Sequence, residues 1–239
     1  MASNYGNDLV SNNGLIFCWD PKDKNSFSGT GTTTYDIANN APGNIGTMRL
    51  TGIESSSVDD GYVYFPGGAG GGYIDFREDS SDYTHIGAWT ISAWVMRTVS
   101  LGPYNRVLGK QHSNSRCNFG VGMYFNKPGV IANDGAWRTV YDTGDDLVQD
   151  QWHHLVGSYN GSSAYTLYVD TETRFSGSAV TLNMTNAAAY PEAPLQIGTN
   201  YSGNELWKGN FGPCHVYNRE ITPDEVLQNF NAYRQRYGV

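Results

Sequence analysis

From residue 14 to residue 217 the chain is a succession of short apolar and aromatic runs, each closed off by Gly, Asn, Asp or Pro. The runs fall at residues 14–19, 61–65, 73–76, 89–96, 151–159, 164–170, 195–198 and 211–217. Runs this short and this rich in β-branched and aromatic residues read as strands. In residues 89–96, Trp89, Ile91, Ala93 and Val95 alternate with Thr90, Ser92, Trp94 and Met96, which predicts one face against a core. Asn160-Gly161 with two small residues joins two such runs as a hairpin. Many strands with turn signals between them predict an all-β fold, a two-sheet antiparallel sandwich or a barrel.

One helix is expected, at the end. Thr222-Pro223-Asp224-Glu225 is a capping box with Pro in the first helical position. Val226, Leu227, Phe230 and Tyr233 form an apolar stripe, Arg234 and Arg236 suit the C-terminal dipole, and Gly238 closes it. The predicted helix spans about residues 222–236. No composition break divides the chain, so residues 13–239 read as a single domain. Residues 1–12 are polar and weakly patterned and read as a flexible arm. Its Tyr5, Leu9 and Val10 are the side chains that would engage an assembly partner.

Composition narrows the function. The net charge is −8 over 239 residues, with no basic block, which excludes nucleic-acid binding through the overall field. No run approaches the length of a membrane span. The N-terminus lacks the charged start and apolar run of a secretory signal, so synthesis in a host cytoplasm is expected. Cys18, Cys117 and Cys214 are odd in number and widely spaced, which predicts reduced, packed thiols rather than a disulfide framework or zinc site.

Catalytic patterns are missing. There is no nucleophile elbow, zinc-protease motif or phosphate loop. The glycines of residues 67–72 lead into a strand rather than a helix. None of the seven Glu has Asp two positions later, the spacing that would set two carboxylates on one strand face for glycoside hydrolysis. His153 and His154 are strand neighbours, which point to opposite faces and do not chelate one ion. Two chemistries stand out. Tyr104, Trp137, Tyr141, Tyr201 and Trp207 lie in turns and strand ends and could form a platform for a glycan. Asp142, Asp145 and Asp146 are clustered oxygen donors of the kind that hold calcium in a loop. A second polar loop, residues 36–40, offers the same donors. No cofactor is otherwise required.

The order of segments resembles the laminin-G-like, concanavalin A-like jelly-roll family. Trp89-Thr90-Ile91-Ser92-Ala93-Trp94-Val95 is similar to one of its strands, and Trp152-His153-His154-Leu155-Val156-Gly157-Ser158-Tyr159-Asn160-Gly161 to another strand and turn. The close, from Gly209-Asn210-Phe211-Gly212 through Val216-Tyr217-Asn218-Arg219 to Thr222-Pro223-Asp224-Glu225, is similar to the family's last strand and helix. Thr171 departs from the glycine usual after Val-Asp. The resemblance implies a concanavalin A-like jelly roll of two facing antiparallel sheets with the helix on one edge. It also implies a non-enzymatic protein, closest in pattern to phage virion members. The expectation is a capsid decoration or surface appendage subunit at a virion surface. Its partners would be other virion proteins, further copies of itself and a cell-surface glycan. The alternative is a free carbohydrate-binding, lectin-like module.

Overall fold

The computed structural model describes residues 10–38, 45–49, 60–68, 71–76, 83, 87–113, 116–133, 136–178, 193–200 and 202–239, with backbone alone at 112, 113, 116–118 and 178. Numbered in chain order, the first strands are β1 (Leu15–Trp19), β2 (Thr33–Tyr35), β3 (Ile45–Arg49), β4 (Val63–Phe65) and β5 (Tyr73–Phe76). Then come β6 (Trp89–Arg97), β7 (Asn105–Ser113), β8 (Arg116–Tyr124), β9 (Lys127–Asn133) and β10 (Trp137–Tyr141). The last are β11 (His153–Tyr159), β12 (Ala164–Val169), β13 (Glu172–Ser178), β14 (Leu195–Ile197) and β15 (Gly209–Tyr217), followed by α1 (Pro223–Tyr237).

The strands form two antiparallel sheets. One runs β1-β15-β6-β11-β12-β13, with β4 also paired to β15. The other runs β10-β9-β8-β7-β14-β5-β3-β2. Large side chains from both sheets, among them Trp89, Ile91, Phe119, Val121, Val130, Leu155 and Phe211, interdigitate as one core. This is the jelly-roll sandwich expected from the sequence. The runs at 14–19, 89–96, 151–159 and 211–217 supply adjacent strands of the first sheet. The β7–β10 meander, by contrast, is a finding of the structure.

The outer face of the first sheet is not solvated. Thr90, Ser92 and Trp94 are as buried as the core-facing side of β6 because α1 lies over them. Trp94 stacks on Phe230 and on His154, with ring centroids 5.5 and 5.2 Å away. Asn229 donates to the Tyr217 hydroxyl at 3.0 Å, and the Ile221 amide donates to Thr90 Oγ1 at 3.1 Å. The capping box forms as predicted, and Gly238 takes the left-handed cap with φ 71°. Two expectations change. Leu227 points to solvent, and Asn229 takes its place on the buried face beside Val226 and Tyr233. Both His153 and His154 are buried rather than one facing outward, because the helix covers the second face.

Asp170 takes the place of a turn glycine after Val169. Its φ is 61°, a region where Asp is better tolerated than most residues. Its carboxylate is fixed there by the His154 amide at 2.9 Å and by His153 Nδ1 at 3.1 Å. These contacts let the hairpin form without glycine at either turn position.

The boundary of the N-terminal arm moves. Residues 10–12 belong to the domain: Val10 packs on the cluster under the helix. The Ser11 amide donates to Asn229 Oδ1 at 3.0 Å, and its hydroxyl donates to Glu225 Oε1 at 2.6 Å. Tyr5 and Leu9 lie outside the described residues. Cys18 faces the helix-covered cluster and Cys214 the inter-sheet core, so the two free thiols lie on opposite faces of their sheet. Burial raises both thiol pKa values well above the ordinary range, which keeps them protonated and unreactive. The Cys117 side chain lies outside the described residues.

Candidate functional site

The outer face of the second sheet carries the candidate site. Arg106, Gly122, Gly129 and Tyr141 lie opposite one another across β7, β8, β9 and β10. Partners in register share a face. The two glycines let neighbouring side chains lie over the middle of this row. A Cβ on Gly129 would lie 2.3 Å from Tyr141 Cδ1, so only glycine lets that ring lie flat across the strand. A Cβ on Gly122 would meet Ile131 Cδ1 and the Asn105 carbonyl, each at 2.7 Å.

At this end of the sheet Tyr104, Arg106, Trp137, Thr139, Tyr141 and Glu205 line a cavity of about 450 Å³. Trp137, Thr139 and Tyr141 alternate along edge strand β10 and so share one face. Tyr124, at the end of β8, lies 5.2 Å from Tyr104, 5.3 Å from Tyr141 and 4.8 Å from Phe125, ring centroid to centroid. Tyr104 and Phe125 both adopt positive φ, 63° and 54°, which turns their rings out at the ends of the strands. Trp137 is 44% exposed and Tyr104 50%. Single exposed aromatics are ordinary, but here ring contacts join Tyr104, Tyr124, Phe125 and Tyr141, with Trp137 on the same cavity.

Two charged residues form the floor. Arg106 is only 5% exposed, and its guanidinium carbon lies 5.4 Å from the centre of the Trp137 ring. Its Nε is 2.8 Å from Glu205 Oε2. Glu205 arrives from the loop between β14 and β15. That loop is tied to β7 by the Arg106 amide donating to the Glu205 carbonyl at 3.0 Å and by Asn105 Nδ2 donating to the Leu206 carbonyl at 2.6 Å. The ion pair is close but poorly aligned for hydrogen bonding. Arg106 Nε and Nη1 and Glu205 Oε2 are buried without a hydrogen-bond partner among the described residues. Burial raises the Glu205 pKa, against the lowering pull of Arg106. Burial also pushes the Tyr141 hydroxyl up to about 12, so it remains a protonated donor at neutral pH.

The structure therefore unites Tyr104, Trp137 and Tyr141 of the five aromatics singled out in the sequence. Tyr201 lies outside the described residues. Trp207 is corrected: it is wholly buried in the inter-sheet core, 5.4 Å from Phe211, and offers no face to a ligand. Sequence reading missed Arg106, Thr139 and Glu205. The alternation Trp137-Arg138-Thr139-Val140-Tyr141 was the available signal for Thr139.

The calcium expectation is also corrected. Asp142 Oδ2 accepts from Arg174 Nε at 2.8 Å, and its Oδ1 accepts from the Gly144 amide at 2.8 Å. Arg174 Nη2 also reaches the Asp145 carbonyl at 3.0 Å. Asp146 accepts from Asn126 Nδ2 at 2.9 Å and pairs with Lys127 Nζ at 3.3 Å. The carboxylates of Asp142 and Asp146 are spent on these partners, pinning the loop to β9 and β13. Among the described residues no three His, Cys, Asp or Glu converge as metal ligands. In the second polar loop, Asp36 accepts from the Cys18 and Ala38 amides and the Tyr83 hydroxyl, each at 2.9 Å. Asn39 and Asn40 lie outside the described residues.

Ser92 and His154, with Oγ and Nε2 2.7 Å apart, have the separation of a nucleophile and its base. Both are fully buried beneath α1, out of reach of any substrate. Among the described residues that line the cavity, Glu205 carries the one carboxylate.

The sequence profile of the concanavalin A-like lectin/glucanases superfamily, laminin G type 3, matches residues 67–227. The chain belongs to this superfamily. A search of curated proteins found no match. Among solved structures the superfamily member is similar to domain 4 of a GH43 extracellular arabinanase from Geobacillus stearothermophilus, solved in complex with arabinotriose. There the TM-score is 0.66 at 15% identity, over 89% of this chain and 96% of that one. It is also similar to a botulinum neurotoxin type C chain whose cell entry depends on two ganglioside molecules, with TM-score 0.64, 12% identity and 92% of this chain covered. The binding domain of Paraclostridial Mosquitocidal Protein 1 gives TM-score 0.64 at 16% identity, over 92% of this chain. The chain spans about half the length of these two toxin chains, 51% and 52%. Likeness at these identities is a likeness of fold.

Proposed function

We propose that the chain is a non-catalytic, lectin-like module that binds a glycan on the outer face of the eight-stranded sheet, over β7–β10. The observation that carries the reading is the cavity that sets exposed Trp137 and Tyr104 beside the Arg106–Glu205 ion pair. Sugars present C–H faces that pack on aromatic rings, and hydroxyls that both donate and accept. A concave site with apolar walls and a few convergent polar groups has that pattern. The arabinotriose held by the arabinanase domain and the gangliosides used by the neurotoxin support it as uses of the same fold. Binding of the purified chain to an immobilised glycan panel tests it. Trp137→Ala should weaken capture by about tenfold or more, as expected for a central aromatic anchor. Capture that survives Trp137→Ala, Tyr104→Ala and Tyr141→Ala unchanged would place the site elsewhere.

We further propose that the module works at a virion surface. Its support is the resemblance of the ending, Tyr217-Asn218-Arg219 to Tyr237-Gly238-Val239, to phage members. Residues 10–12 are bolted beside the helix N-terminus, so the attachment handle narrows to the residues before Val10. Deleting residues 2–9 should leave the melting temperature unchanged and abolish co-sedimentation with the parent particle. Wild-type occupancy after deletion would shift attachment to the sandwich.

A further inference from the structure

Trp137 and Tyr141 stand four residues apart on β10, about 13 Å along the strand. Thr139 lies between them on the same face of the strand, and Arg106 and Glu205 line the same cavity. A polar residue is thus flanked by a ring at each end. One sugar can cover one ring, whereas several linked sugars are needed to reach both.

The charge pattern bears on which sugars. Arg106 and Glu205 cancel each other at 2.8 Å. The Arg106 Nε and Nη1 are enclosed, so the guanidinium cannot turn a free fork to a carboxylate without breaking its pair. An incoming carboxylate would also meet Glu205, whose side chain is the more exposed of the two. Of the cations nearby, Lys127 is committed to Asp146 and the Gly144 carbonyl. Neutral hydroxyls face no such conflict, since they can donate to the exposed part of the Glu205 carboxylate and accept from Thr139 or Tyr141. Resting on the glycan-binding reading above, we propose that this face takes the interior of a linear neutral oligosaccharide and rejects acidic sugars through the Arg106–Glu205 pair.

The test is calorimetric titration of the full chain with two sets of ligands. The neutral set is tetraoses from arabinan, xylan and mixed-linkage β-glucan, with their monosaccharides. The acidic set is tetragalacturonate and sialyllactose. At least one neutral tetraose should bind, and its monosaccharide should bind about tenfold more weakly or worse. Both acidic ligands should also be weaker than that tetraose by about tenfold or more, as like-charge opposition requires. Glu205→Gln should raise affinity for the acidic set and narrow the gap. If that variant melts early, added salt gives a second reading on the wild type. Screening should narrow the gap through the acidic ligands while neutral binding stays constant. An acidic ligand that binds as tightly as the neutral ones, or a monosaccharide that matches its tetraose, overturns the inference while leaving glycan binding intact. So does a gap indifferent to both Glu205→Gln and salt. No binding by any ligand overturns the glycan reading itself.

Discussion

Acidification from neutral pH to about pH 4.5 is expected to remove on the order of 5 kcal/mol of folding stability through two histidines under the terminal helix. His154 and His215 are fully buried, and burial lowers both pKa values from 6.5 to about 3. Arg236 lowers His215 further, and a proton on His215 would lower His154 further. Asp170 pulls His154 the other way but does not offset burial. Neither His215 ring nitrogen has a hydrogen-bond partner among the described residues, so nothing inside would receive a proton's charge. The folded state therefore binds fewer protons than the unfolded one between these pKa values. The contribution is fully present above about pH 6.5 and is lost progressively as pH falls toward 3. At pH 4.5 each histidine costs on the order of 2–3 kcal/mol, which together is comparable to the whole stability of a small domain.

Melting temperatures measured from pH 7.5 to 4.5 check this. The fall should begin near pH 6.5, before ordinary carboxylates titrate. Glu225, held near 2 by the Arg219 guanidinium and the Ser11 hydroxyl, adds its own loss only at the acid end. Replacing His154 and His215 with Gln should flatten the upper part of the slope. A melting temperature that stays level between pH 6.5 and 5 would show that the two rings are not excluded from water as described.

The same helix separates what was legible in the sequence from what was not. Strands β6, β11, β12 and β15 are dense in Trp, Ile, Leu, Val and Tyr, so propensity and burial agree and their runs stand out. The cap of α1 is written in four consecutive residues, and local hydrogen bonds suffice to form it. Strands β7–β10 carry Gly109, Gly120, Gly122 and Gly129 and bury Arg106, Lys110, Gln111 and Asn133. Glycine, lysine and asparagine have poor β-propensity, and β7, β8 and β9 exist because neighbours on both sides complete their ladders. The glycines are there for close approach, as the Tyr141 ring over Gly129 shows. The site divides in the same way. Exposed aromatics can be nominated one by one, which found Tyr104, Trp137 and Tyr141. The Arg106–Glu205 pair is made by a loop docking on a distant strand, and no local pattern announces it. Leu227 was misjudged because helical spacing alone cannot tell which side of a four-residue stripe meets the sheet.

Trp94→Ala should destabilise the domain by about 3–5 kcal/mol, the cost usual for emptying a large aromatic from a packed interior. Trp94 is wholly buried between the sheet and the helix. Its ring lies 5.2 Å from His154, 5.5 Å from Phe230 and 5.0 Å from Tyr237, so one truncation strips three rings of their partner. Tyr237 in turn stacks on Trp152 at 4.0 Å and donates to the Gly61 carbonyl at 2.7 Å, so the loss reaches the C-terminal end of the helix. Sheet and helix are in close contact here, since a Cβ on Gly212 would lie 2.2 Å from the Tyr237 hydroxyl. Trp137→Ala is the matched control. That ring is 44% exposed on an edge strand, so its loss should change stability by no more than about 0.5 kcal/mol. Chemical denaturation of both variants, beside glycan capture by both, gives the crossed result that separates core from site. Trp94→Ala should lower the denaturation midpoint and, where still folded, keep its ligand. Trp137→Ala should keep its midpoint and lose the ligand. A Trp94→Ala midpoint equal to the wild type would mean that the helix does not seal this face in solution, and the shielding of His154 and His215 would fail with it.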